Sequence, residues 1–306
     1  MSNQVYHIPA LLSDAIEGLN IRNNGIYIDA TFGGGGHSRA ILRELAADGH
    51  LYGFDQDIDA LANVPDDERF TFVHSNFRYI TNFLRYYGVD HADGILADLG
   101  VSFHHFDSAE RGFSFRADAP LDMRMNRSAG KSAADVLAEA DRRELIRILG
   151  LYGDLRRPAP IADAIIRARD AGRLDTTGQL LEAVAGCISP KQEKKELAQI
   201  FQALRREVNG EMSALEDFLK ATLAALRPGG RLAVITYHSL EDRMVKNFMK
   251  TGKTDGELEK DFFGRVQTPW KMITRNPITP SAEEVEANPR SRSAKLRVAE
   301  LLGPEE

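Results

Sequence analysis

Short apolar runs and helix-like stretches take turns along the first hundred residues. Residues 25–30, 50–54, 70–74 and 94–97 are apolar over a few positions each, as strands buried on both faces are. Between them, residues 38–47, 57–62 and 77–87 have helical length or periodicity. This alternation predicts an α/β fold built on a parallel, doubly wound sheet.

Near residue 106 the alternation stops. From there to residue 209 the pattern offers several helices and no convincing strand. In the clearest helix, Leu197, Ile200, Phe201, Leu204 and Val208 recur at steps of three and four and so share one face. Residues 212–226 read as a further helix, with Arg227-Pro228-Gly229-Gly230 as its stop signal. Residues 231–236 are then a clean apolar strand, and the sheet resumes. The expected organisation is a discontinuous sheet domain, residues 1–106 and 210–306, carrying an inserted all-helical domain at 107–209. Strand-like stretches at 271–274 and 295–298 flank a polar, proline-containing loop in the tail.

Composition narrows the class. A chain of 306 residues with 43% hydrophobic and 27% charged residues suits a soluble enzyme of one or two domains. No run approaches the roughly 18 apolar residues that a membrane span needs. The N-terminus has no export signal pattern either, so no membrane partner and a cytoplasmic location are expected. Cys187 is the single cysteine, which leaves no disulfide framework and no cysteine zinc site, and no metal ligand is singled out. The net charge of −6 argues against non-specific coating of nucleic acid. It is unevenly spread. Residues 142–206 carry 13 Lys+Arg against 8 Asp+Glu, a net of +5, and the remainder 26 against 37, a net of −11. An internal basic region fits a localised polyanion surface, and equally a set of solvated helix faces.

The candidate chemistry gathers where strands end. Residues 29–37 read D-A-T-F-G-G-G-G-H, directly after an apolar run and before a helical pattern. Glycines at that junction let a ligand approach backbone N–H groups and a helix N-terminus. No Lys-Ser/Thr follows, so this is not a P-loop, and the dinucleotide fingerprint fails at Ser38. Asp29, Thr31, Gly33 and Gly35 fall closer to the acid-x-G-x-G-x-G loop of methyltransferases that use S-adenosylmethionine. Asp55, at the end of the second strand, is placed to accept ribose hydroxyls, or to cap the following helix. Loop and acid together point to a nucleoside-containing cofactor, with a methyl donor and NAD both open. Asp98 ends the fourth strand at the same edge and can touch the cofactor or take a proton. His238 follows the strand at 231–236. The stretch N-P-R-S-R-S-A-K-L-R supplies Arg290, Arg292, Lys295 and Arg297, suited to phosphates or to a solvated loop.

These stretches together resemble the bacterial RsmH (MraW) family, which methylates the exocyclic amine of a cytosine in 16S ribosomal RNA. The likeness runs nearly end to end. It includes I-Y-I-D-A-T-F-G-G-G-G-H-S, D-G-I-L-A-D-L-G-V-S, A-E-R-G-F-S-F and P-L-D-M-R-M. It continues through F-Q-A-L-R-R-E-V-N, Y-H-S-L-E-D-R-M-V-K and N-P-R-S-R-S-A-K-L-R. The resemblance implies a Rossmann-like methyltransferase sheet with a helical insertion and S-adenosylmethionine as cofactor. It places cofactor contacts on Gly35, Gly36, His37, Asp55, Phe77, Asp98 and position 105, to which the loop reading adds Gly33. His105 stands where the family has glutamine, and imidazole can still donate or accept a hydrogen bond. Ala198-Gln199-Ile200 replaces the usual Thr-Arg-Thr, so Arg205 or Arg206 is expected to supply the missing cation. Asp98 first and His238 second are expected as catalytic proton acceptors. Arg243, Arg290, Arg292, Lys295 and Arg297 are expected to bind substrate. The implied partner is 16S ribosomal RNA within the small ribosomal subunit, with the target in the decoding centre, and a homodimer is admitted.

Overall fold

The computed structural model describes residues 9–100, 109–172, 174–260, 262, 264 and 266–303. The chain divides into two units, Met1–Gly100 with Ser213–Glu306, and Val101–Met212.

In the first unit, β1 (Ile26–Asp29), β2 (His50–Asp55), β3 (Phe70–His74), β4 (Ala92–Asp98) and β5 (Leu226–Thr236) run parallel in the order β3-β2-β1-β4-β5. A short antiparallel ribbon follows in the chain, β6 (Glu259–Lys260) with β7 (Val266–Gln267). Then β8 (Trp270–Met272) and β9 (Lys295–Leu301) extend the main sheet beyond β5, in the order β5-β9-β8. The strand β9 is antiparallel to both of its neighbours. Ile28, Leu51, Ile95, Leu96, Leu232, Ala233 and Val234 are fully buried. Consecutive buried residues along β4 and β5 mean both faces of the sheet are covered, which is why these strands read as continuous apolar runs.

The helices of the first hundred residues are α1 (Leu12–Leu19), which packs on β4, β5 and β9, α2 (Gly36–Glu44), which packs on β1 and β2, and α3 (Ile80–Tyr86). The first has no counterpart among the expected elements. It is eight residues long, and Leu11, at its N-cap, has φ 52° and makes no side-chain cap, so no start signal marks it. The segment expected as a helix at 57–62 is a 3-10 helix, Ile58–Asn63, started by the Asp57 side chain accepting from the Asp59 N–H.

The second unit is helical: α4 (Ala133–Glu139), α5 (Arg142–Arg147), α6 (Pro158–Asp170), α7 (Thr177–Val184) and α8 (Glu193–Val208). Its described residues contain no strand beyond an isolated bridge between Pro120 and Thr176. It has a core of its own, in which Leu145, Ile148, Leu149, Ile165, Leu180, Ile200 and Leu204 are fully buried. The face anticipated on α8 is the buried one. Ser132 and Thr176 begin α4 and α7 with capping boxes that satisfy first-turn N–H groups.

The chain then passes through α9 (Glu211–Ala225) into β5. Arg227-Pro228-Gly229-Gly230 does not separate helix from strand, contrary to the sequence pattern. The strand pairs Leu226 with Ala92 and Arg231 with Gly94, so the register shift absorbs these residues as a bulge. The remaining helices are α10 (Ser239–Thr251), directly after β5, and α11 (Ala282–Ala287), between β8 and β9.

Candidate active site

Parallel strands bring their last residues to one edge of the sheet. Asp29 ends β1, Asp55 ends β2, Asp98 ends β4, and Thr236 ends β5 just before Tyr237 and His238. In open α/β sheets this carboxyl edge is where ligands bind.

The glycine loop is held at that edge by carboxylates and a hydroxyl. Asp29 is buried, and its two oxygens accept from the Thr31 N–H at 3.1 Å and the Ser38 hydroxyl at 2.6 Å. The Thr31 hydroxyl accepts from the Asp98 N–H at 2.6 Å, tying the loop to the end of β4. Asp55 accepts from the Gly33 N–H and the Asp57 N–H, both at 2.8 Å. The helix cap is thus Asp57, and Asp55 instead braces the loop.

Gly33 and Gly35 have φ of +50° and +71°, the left-handed region that glycine tolerates. A Cβ on Gly35 would lie 2.8 Å from the Phe32 ring, and one on Gly36 would collide with the Pro9 ring. A Cβ on Gly34 would meet no described atom within 4 Å. The loop therefore packs on one side and is open on the other.

Asp98 is the most perturbed acid at this edge. Its side chain is 22% exposed, yet its Oδ1 is fully buried with no hydrogen-bond partner among the described residues. The Tyr237 hydroxyl hydrogen-bonds the carboxylate. Burial, opposed by that hydrogen bond and reinforced by the charges of Asp29 and Glu241, pushes its pKa up to about 7. Asp29 is pushed up to about 6, again mainly by burial, with the Ser38 and Thr31 hydrogen bonds opposing. Burial and the Asp98 charge raise the Tyr237 phenol far above its ordinary value.

His37, buried at the start of α2, has its Nδ1 3.8 Å from Asp98 Oδ2. That separation is too long for a hydrogen bond. Burial lowers the imidazole to about 4, so at neutral pH it is uncharged and the two groups are not an ion pair. Its Nε2 is buried without a partner among the described residues. Phe77 lies after β3 and packs edge-on against Phe218, ring centroids 5.1 Å apart. His238 occupies the N-cap position of α10, one residue beyond Tyr237. His105 lies outside the described residues.

The expected substrate cations divide into two groups. Arg243, Arg290 and Arg292 are exposed. Lys295 is half-buried, with Nζ 3.5 Å from Asp242 Oδ2. Arg297 is a correction. It is only 5% exposed and grips Asp242 through Nε at 2.7 Å and Nη2 at 3.2 Å, so it is a structural partner of α10. The expectation for Arg205 and Arg206 also fails. Arg205 is buried and bidentate to Glu211, and Arg206 is buried and donates to the Tyr152 carbonyl. Arg205 flanks the apolar stripe of α8, whereas Arg206 lies on the opposite face of the helix and is buried against the Tyr152 carbonyl. Tyr237 was missed by sequence reading, and Thr31 was singled out only as a small residue of the loop, not as the tie to β4. The one signal for Tyr237 was its position at the end of β5, next to His238.

A sheet in this order, with glycines after β1 and carboxylates ending β1, β2 and β4, defines a Rossmann-like, S-adenosylmethionine-dependent methyltransferase. Residues 4–302 match the model of the MraW methylase family, and the chain belongs to that family. It is similar to proteins named ribosomal RNA small subunit methyltransferase H. The one from Phocaeicola vulgatus is 58% identical over 299 residues, 98% of each chain. The one from Porphyromonas gingivalis is 59% identical over 303 residues, 97% of each. A third, from Azobacteroides pseudotrichonymphae, is 52% identical over 297 residues, 97% of this chain and 98% of the relative.

Proposed function

We propose that this protein transfers a methyl group from S-adenosylmethionine to the exocyclic N4 amine of a decoding-centre cytosine in 16S ribosomal RNA. The substrate is the RNA within the small ribosomal subunit, and the reaction takes place in the cytoplasm. The relatives' shared name supports the RNA class. The observation that carries the chemistry is Asp98, a carboxylate with a buried oxygen unpartnered among the described residues and a pKa near neutrality, beside the glycine loop.

The residues present fit the cofactor. Gly34, whose added Cβ would meet no described atom, and two buried polar atoms without a partner among the described residues, His37 Nε2 and Asp98 Oδ1, suit a nucleoside-bearing ligand. Gly33, Gly35 and Gly36 would present backbone to it, Asp55 would accept its ribose hydroxyls, and His37 and Phe77 would line it. When bound, S-adenosylmethionine supplies an electrophilic methyl carbon on a sulfonium.

This chain's own residues have two tasks. The first is positioning, because in-line displacement depends on holding donor and acceptor in register. The second is handling the proton. A cytosine amine is a weak nucleophile, its lone pair delocalised into the ring. Asp98, ionised, accepts one amine N–H, which helps localise that pair. It then takes the proton that nitrogen must lose once the C–N bond has formed. Tyr237 holds the carboxylate in place. His238, at the head of α10, is the second candidate to receive or relay that proton.

Recognition of the RNA falls to the exposed Arg243, Arg290 and Arg292 and the half-buried Lys295 at the sheet unit, and to the basic surface of the helical unit. RNA sequence is read on unpaired bases, so the target cytosine is expected to be splayed into the site. Replacing Asp98 by Ala tests the central role. Turnover should fall by about 10²–10⁴-fold. Wild-type turnover with unchanged cofactor affinity would remove Asp98 from both roles.

A further inference from the structure

Beside the carboxyl edge lies a cavity of about 200 Å³ that shares Tyr237 and His238 with the proposed site. Tyr237 and Ser239 line it from the end of β5 and the start of α10, and Thr279, Arg292, Ser293 and Lys295 line it from the tail. It is smaller than the roughly 300–1,000 Å³ of pockets that enclose whole ligands, so it suits one group rather than a complete nucleoside. We propose that it seats a phosphate, the phosphodiester adjoining the target cytidine. This deepens the ribosomal RNA reading and rests on it.

Charge is the first argument. Asp242, the acid nearest Lys295, is already held bidentate by Arg297. Lys295, at 3.5 Å, is therefore a second cation on a single carboxylate. Arg292 forms no ion pair among the described residues and is exposed. Glu241, the other acid of this turn, accepts from the Tyr237 N–H at 3.3 Å. The charged residues that line the cavity itself are Arg292 and Lys295, while the acids Asp98, Glu284 and Glu241 act on Tyr237.

Donors are the second argument. The hydroxyls of Ser239, Thr279 and Ser293 make no hydrogen bond to another described residue, yet all three face one small space. The helix α10 starts at Ser239, a lining residue, without a side-chain cap from His238, so its N-terminal end lies beside the same space. An arginine, a lysine, three hydroxyls and a helix N-terminus around one cavity match the acceptors of a phosphate. Position is the third argument. Tyr237 lines the cavity and hydrogen-bonds Asp98, so the cavity and the proton acceptor share one side chain. A phosphate held here belongs to the nucleotide whose base reaches Asp98.

The test is amide NMR of the full-length protein titrated with inorganic phosphate and with cytidine 5′-monophosphate. Saturable shifts are expected at the amides of Ser239, Leu240 and Ser293, with cytidine 5′-monophosphate binding about tenfold more tightly than phosphate. Both responses should vanish in the double variant R292Q/K295Q, whose changes lie at exposed and half-buried sites. Scattered shifts, or the same shifts in the variant, would overturn the site. Equal affinity for the two ligands would reassign it to free phosphate and overturn the nucleotide assignment. Methyl transfer to ribosomal RNA by the wild-type preparation is scored separately. Its failure would remove the proposed function while the phosphate result stood by itself.

Discussion

At the scale of single residues, Asp98 sets how the protein should respond to pH. Its carboxyl, ordinarily near 3.8, ionises only near 7 in the folded chain. As a proton acceptor it must be ionised, so kcat is expected to rise through about pH 7 and level off above it. A kcat that is flat from pH 5.5 to 8.5 would contradict that role. The sign for stability is opposite. The folded state holds this proton more tightly than the unfolded chain, so ionisation weakens the fold as pH rises from about 4 to 7. Asp98→Asn should therefore raise Tm at pH 8, with the gain fading toward pH 4. An equal shift at both pH values would show that the carboxyl is not perturbed.

The cations at the tail make a second residue-scale contrast. Arg297→Gln should destabilise by about 2–3 kcal/mol in urea unfolding, since it strips a buried partner from Asp242 while Lys295 stays. Arg292→Gln should stay within about 0.5 kcal/mol of wild type. Similar losses in both would refute the division between structural and free cations. This division was invisible in the sequence, where Arg290, Arg292, Lys295 and Arg297 form one basic run. Both faces of β9 are covered, so Arg297 is buried along with Leu296 and Val298, and the partner that neutralises it lies 55 residues earlier in the chain.

At the scale of elements, the loop between β1 and α2 separates two kinds of glycine. Gly36→Ala pushes a methyl into the Pro9 ring, so it should lower stability and cofactor affinity together. Gly34→Ala adds a methyl to open space on the ligand side. It should leave Tm within about 2 °C of wild type, a small surface perturbation, and weaken S-adenosylmethionine binding in calorimetry. Unchanged affinity in Gly34→Ala would place the cofactor elsewhere. The strands around this loop were legible because both faces of the sheet are covered, which leaves continuous apolar runs. The helix α1 was not, because it begins at an uncapped leucine in the left-handed region. The Pro-Gly-Gly segment misled in another way. Those residues punctuate helices and also fill bulges, and only the pairing of β4 with β5 decides between the two.

At the scale of the whole molecule, the chain devotes one unit to the acid-and-glycine edge and another to a helical body with its own core. The helical insertion was legible from the loss of strand patterning after residue 106. The use of its charge was not. Arg142 and Arg147 are tied to Asp163 and Glu207, and Arg205 and Arg206 are buried. Arg143, Arg156, Arg157, Lys191, Lys194 and Lys195 remain exposed. Replacing Arg156, Arg157, Lys194 and Lys195 by Gln should weaken RNA binding and flatten its dependence on salt, with S-adenosylmethionine affinity unchanged. RNA affinity and salt slope equal to wild type would take the helical unit out of RNA recognition.

The central claim is tested most directly by methyl transfer itself. Labelled S-adenosylmethionine is incubated with the protein and with small ribosomal subunits from cells lacking this activity, and the RNA is digested for nucleoside mass spectrometry. The expected result is one methyl on the N4 amine of cytidine, mapping to the decoding centre and absent with Asp98→Ala. Cofactor binding without label on subunits or on free 16S RNA, or label on another atom, would contradict the assignment of substrate and reaction.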